Sequence, residues 1–202
     1  MAVKELKTSR KLAKKAYSKA IKTQRDIEEK FVQIGREAIK QINGNSEMGI
    51  VLVGRSYNAF PDETSLFIPK KLASMGITVI PFDFLEKQET SNIPWYFANY
   101  VKTAIKIVNE NNNLFLLYIN SFSCTIDAFI QNYVRTEMNN IPYLLLELDA
   151  HTAAAGIQTR LEAFIEIVQN YQMSKKKLVD TKFQIARIKR REGKTVIFTS
   201  DN

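Results

Sequence analysis

Four short apolar runs constrain this chain more than any other feature: GIVLVG (49–54), ITVIPF (77–82), LFLLYI (114–119) and YLLLEL (143–148). The first two are rich in β-branched residues and the last two are continuously apolar, the pattern of strands buried on both faces. Helical periodicity fills the intervals, at roughly 66–75, 94–110 and 126–138, and returns at about 156–171. Strands joined by helices imply right-handed crossovers and a parallel sheet. The expectation is an α/β domain: a doubly wound, Rossmann-like open parallel sheet with helices on both faces. The pattern does not set the strand order.

A different segment precedes the first strand. Residues 1–48 carry no glycine before Gly35, and Ile27, Phe31, Ile34, Ala38 and Ile42 recur at helical spacing, so the lead reads as a helix with one apolar face. The stretch Asn43-Gly44-Asn45-Ser46 is expected to break it. Charge divides along the chain: 12 Lys+Arg against 6 Asp+Glu in 1–48, 8 against 12 in 49–173, and 9 against 3 in 174–202. The net charge of +8 therefore belongs to two basic flanks around an acidic body, and nucleic acid is not the expected partner. Three regions follow: a basic helical lead (1–48), the α/β domain (49–173), and a basic helix with a strand TVIFTS at 195–200. That strand either returns to the sheet as an edge or opens a further domain. No apolar stretch is long enough to span a membrane and the N-terminus lacks the apolar core of a secretion signal, so the expected location is the cytoplasm. One cysteine, Cys124, excludes an internal disulfide.

Open parallel sheets bind ligands beyond the carboxyl ends of their strands. The residues there are the candidates. After the first run come Gly54, Arg55, Tyr57 and Asn58; after the second, Asp83; after the third, Cys124 and Asp127; after the fourth, Glu147, Asp149 and His151, the sole histidine. Arg160 lies one turn into the next helix. Gly54–Asn58 is neither a Walker loop nor a dinucleotide fingerprint, so ATP hydrolysis is not expected, but its amides and Arg55 could cradle an anion. On that reading Arg55→Ala weakens anion binding and leaves stability nearly unchanged. A cysteine just before a helix sits where the helix dipole favours a thiolate nucleophile or metal ligand; the plainer reading is a buried inert thiol. Glu147, Asp149 and His151 alternate off a strand end and could share a metal, or the carboxylates could cap the following helix. Arg160 could clamp an anion or pair with Glu147 or Asp149. A Cys124–His151–Asp149 triad lacks the glycines of a nucleophile elbow.

Several stretches together resemble one family: VLVGRSYNAF (51–60), IPKKLASMGITVIPFDFL (68–85), PWYFANYVKTAIKIV (94–108), FSCTIDAF (122–129) and ELDAHTAAAGIQTRLEAF (147–164). They are similar to the large proteins related to 2-hydroxyacyl-CoA dehydratases and to the ATP-dependent activases of those enzymes, specifically to their dehydratase-like region. The resemblance implies a part of an anaerobic iron-sulfur system. In it an activase passes a low-potential electron to a dehydratase whose cysteines hold a [4Fe-4S] cluster near an acyl-CoA thioester. Cys124 matches the cysteine of the family's F-G-C-G-P-D-S-F stretch, a candidate cluster ligand. Glu147, Asp149, His151 and Arg160 match its E-L-D-E-H and T-R-L-E-A-F residues. The glycines beside that cysteine are here Ser123 and Thr125, and the proline is Ile126, which implies an altered site. A cubane takes about four cysteines, so a cluster would be shared with other chains or domains. The expected function is a dehydratase-like module, noncatalytic alone, lending a cluster ligand or a surface for acyl-CoA or for other dehydratase and activase subunits. The alternatives are an independent thiol- or metal-dependent enzyme using Cys124 and His151, and a protein docking acidic partners through its basic lead.

Overall fold

The computed structural model describes residues 5, 7–87, 95–121, 124–149, 152 and 154–191, with side chains through 178. The lead is a helix, α1, Arg10–Asn45. Ser9 caps it, its hydroxyl accepting from the Leu12 N–H at 3.2 Å. The break falls within the expected stretch Asn43-Gly44-Asn45-Ser46, at its last residue: Asn43 to Asn45 stay helical, and the chain turns at Ser46, whose φ of 55° is left-handed. The Glu47 N–H returns to the Ile42 carbonyl, so backbone bonding closes this end despite the helix-weakening Gly44.

Strand β1, Gly49–Gly54, follows and is buried throughout. Then come the single turn α2 (Ser56–Ala59), α3 (Ile68–Ser74), β2 (Thr78–Pro81) and a 3-10 turn at Phe82–Phe84. The second half comprises α4 (Tyr96–Glu110), β3 (Leu114–Ser121), α5 (Thr125–Glu137), β4 (Tyr143–Leu148) and α6 (Ala154–Arg191). Helix α6 runs unbroken through Met173, so the expected 156–171 helix and the basic helix after it are one element. The 195–200 segment lies outside the described residues.

The strands form one parallel sheet in the order β2-β1-β3-β4. Alternate residues of the two central strands serve opposite faces. Val51, Val53, Leu116 and Tyr118 pack with Ile42 of α1, Val101 of α4 and Ile130 of α5. Ile50, Leu52, Phe115 and Leu117 pack with Leu72 of α3 and Leu161 of α6. Helices thus cover both faces, as the unbroken apolar runs require. Because β1 leads outward to β2 and the chain then crosses back to β3, the order reverses between β1 and β3. That gap is the topological switch point, where crossovers leave on opposite sides and open a crevice.

Candidate functional site at the switch point

Two loops meet in this crevice. The first leaves β1 at Gly54, whose close packing admits no side chain: an added Cβ would lie 2.8 Å from both the Ala59 Cβ and the Ile119 carbonyl oxygen. Arg55 comes next. Its guanidinium lies 4.4 Å over the Phe97 ring of α4 and donates from Nη2 at 3.1 Å to Asp127 Oδ1. The second loop runs from β3 into α5. Cys124 occupies the N-cap of α5 with its backbone N–H on the Ser121 carbonyl, and no side chain caps the helix. Asp127, in the first turn of α5, is fully buried.

The geometry changes the reading of Arg55. Its charge is already matched by a buried carboxylate 72 residues away, so the residue braces the β1 loop against the head of α5. Stability nearly unchanged on Arg55→Ala is not what this arrangement predicts, because removal would strand a buried charge.

Around this pair lies a polar group that runs from the buried Asn58 and Asn120 to the exposed Glu147. Asn58 donates from Nδ2 to Ser121 Oγ at 3.3 Å, and Asn120 Nδ2 donates to Glu147 Oε1 at 3.3 Å. Gln131 Nε2 donates to the same oxygen at 3.0 Å. Yet Asp127 Oδ2, Asn120 Oδ1 and the Tyr118 hydroxyl are buried with no hydrogen-bond partner. Burial first, and then the Asp127 charge beside it, push Tyr118 ionisation far above the ordinary phenol range. Tyr118 therefore stays protonated, beside the Asp127 carboxylate. Buried polar atoms of native proteins are nearly always paired, with protein or with ordered water.

The remaining candidates do not join this group. Tyr57 is exposed. Asp149 closes a local turn in which Thr152 Oγ1 donates to Asp149 Oδ1 at 2.7 Å. Arg160 is exposed on α6, with no salt bridge to Glu147 or Asp149 among the described residues. His151 lies outside the described residues. Among those described, no group of three or more His, Cys, Asp or Glu gathers to hold a metal.

Asp83 faces elsewhere. It lines a cavity of about 550 Å³ between α1, the 3-10 turn and Tyr100 of α4. Lys87 Nζ, also lining it, donates to Tyr96 Oη at 3.1 Å, and Tyr96 and Tyr100 share a 2.9 Å hydrogen bond. Contact with Tyr100 and Tyr96 raises Lys87 and keeps it an ammonium. Sequence reading missed this cluster: Lys87 precedes Tyr96 by nine residues, with no periodicity to link them.

Burial lifts the Asp83 carboxyl above the usual carboxylate range, with its own backbone amide opposing. Between the unfolded and the raised folded pKa the native state holds the proton more tightly. Stability should therefore fall as pH rises through that window, and the burial penalty is complete above it. Asp83→Asn is expected to remove this decline and to be more stable than wild type at pH 7. Urea midpoints of both proteins across an acid-to-neutral series test it; parallel curves would contradict it.

Residues 1–85 match the family model described as the CoA enzyme activase uncharacterised domain. The match spans α1 to the 3-10 turn and includes Gly54, Arg55, Tyr57, Asn58 and Asp83. Cys124, Asp127, Glu147 and Arg160 lie beyond it. No curated protein and no solved structure matches the chain.

Proposed function

We propose that the chain is a dehydratase-like binding module of a CoA enzyme activase-related system, noncatalytic alone, whose switch-point crevice receives a CoA-type ligand carried by a partner domain. One observation carries this: Asp127 Oδ2, Asn120 Oδ1 and the Tyr118 hydroxyl are buried without a hydrogen-bond partner at the end of the sheet where α/β folds take ligands. The activase-related match over 1–85 supports the system, and the resemblance of 122–164 supports the dehydratase-like part. The uncapped head of α5 offers first-turn amides to an acceptor. Asn120 and Asp127 offer acceptors to an amide donor.

The residues do not fit a [4Fe-4S] cluster held by this chain. Such a cluster takes about four thiolates, and the only cysteine is Cys124. Cys124 is instead the one thiol the crevice presents to whatever docks there.

Two measurements test the reading. Calorimetric titration with CoA should show binding that is weakened about tenfold by Asn120→Leu, the loss of roughly one buried polar contact. Anaerobic treatment with iron and sulfide should leave wild type and Cys124→Ser equally free of sulfur-to-iron absorption. Absence of CoA binding overturns the ligand. A cluster spectrum lost in Cys124→Ser overturns the noncatalytic role and restores a shared cluster.

A further inference from the structure

Helix α1 keeps one apolar face along its length. The row Ala13, Ala16, Ala20, Ile27 continues into Phe31, Gly35, Ala38 and Ile42 at spacings of three and four, interrupted only at Gln24. The lower part of this face is covered. Phe31 stacks on Phe84 with centroids 4.6 Å apart, Gly35 abuts the Phe84 backbone, and Ile42 is 1% exposed. The upper part is not: residues 14–30 are exposed at every position, and beside the row Tyr17 is 70% exposed and Leu12 58%. In proteins most of a helix's stability comes from tertiary packing of its apolar face.

The opposite face says what the cover is. From Arg10 to Arg25 the helix carries seven basic side chains and no acidic one; Asp26, Glu28 and Glu29 follow at once. The arm is thus positive towards its N-terminal end and negative where it meets the body. Laid antiparallel, two such arms place each positive end beside the other's carboxylates, whereas parallel pairing sets like charges together. The alanines allow close helix approach. A helix built to sink into lipid would carry Trp, Phe or Leu at those positions.

We propose that α1, from Arg10 to Lys30, is a homodimerisation arm that pairs antiparallel with the same segment of a second copy. The contact is isologous and closes on itself. It does not depend on what the crevice binds.

Sedimentation velocity across a concentration series tests this on the intact chain. The expected result is a concentration-dependent species of twice the 23.2 kDa monomer, weakened by salt. Tyr17→Glu with Ile21→Glu should abolish it while circular dichroism keeps the α/β signature, because these side chains lie above the body. Lys11→Glu with Lys14→Glu should weaken it about tenfold. Mixing that variant with a chain carrying Asp26→Lys and Glu29→Lys should restore it. A 23.2 kDa mass at every concentration overturns the proposal, as does a dimer indifferent to Tyr17→Glu and Ile21→Glu. A monomer that binds phosphatidylserine vesicles through the same residues would assign the arm to an anionic surface instead.

Discussion

Arg55→Ala is expected to lower the free energy of unfolding by about 3 kcal/mol, near the lower end for breaking a buried ion pair by removing one partner. Asp127 is fully buried and makes no hydrogen bond through Oδ2, so the loss of its bond to Arg55 leaves a carboxylate with nothing to replace water. The Arg55 side chain is itself 24% exposed, so some hydration persists, which sets the lower end. Loss of the stacking on Phe97 adds about 1 kcal/mol or less. Urea denaturation measures the sum. Arg55→Met combined with Asp127→Leu should recover most of it, since no charge is then buried. If Arg55→Ala costs less than about 1 kcal/mol, the surface-pair range, Arg55 is not the brace, and its charge is free for a ligand. The double variant also separates roles: a stable protein that no longer binds CoA would place the pair in recognition as well as in packing.

How much of this was legible beforehand depends on the range over which each signal acts. β1 and β4 fall on their apolar runs because an apolar pattern is local: GIVLVG is buried throughout, while YLLLEL at the sheet edge is fully buried only at Leu146 and Leu148. The end of α1 falls inside the expected stretch Asn43-Gly44-Asn45-Ser46 rather than at its glycine, because a single glycine costs only about 1 kcal/mol in a helix and backbone bonds from Ser46 and Glu47 to Ile42 close the end. The continuity of α6 was hidden by the change from mixed to basic composition at Ser174, a change in solvation that leaves the backbone helical. At the site, each residue could be placed at a strand end, because strand ends are local. Which of them meet could not: the Arg55–Asp127 pair spans 72 residues and the Asn58–Ser121 bond spans 63, set by the order β2-β1-β3-β4 alone. The orphaned Tyr118 hydroxyl was invisible for the same reason, lying within a run read only as apolar.

Gly35→Ala is expected to destabilise the protein by about 2–3 kcal/mol, although alanine is the better helix former by about 1 kcal/mol. Gly35 is buried within α1, and a Cβ there would lie 2.0 Å from the Phe84 carbonyl oxygen and 2.9 Å from its carbonyl carbon. The obstacle is backbone, so no rotamer change relieves it. Either α1 retreats or the 3-10 turn does. Both movements separate the Phe31–Phe84 stack and loosen the fit of α1 beside the 3-10 turn that ends β2. The helix's own gain cannot compensate, because it acts on one residue while the clash propagates through a close-packed layer. Gly44→Ala is the matched control: an added Cβ there meets nothing within 4 Å, so only the propensity gain remains and stability should rise by up to about 1 kcal/mol. Thermal unfolding of the two variants should thus move in opposite directions, and amide exchange in Gly35→Ala should quicken at the 3-10 turn and β2 before β3. A Gly35→Ala protein as stable as wild type would mean that α1 does not approach the turn this closely, and the anchoring of the arm above it would have to be sought at Ile42 alone.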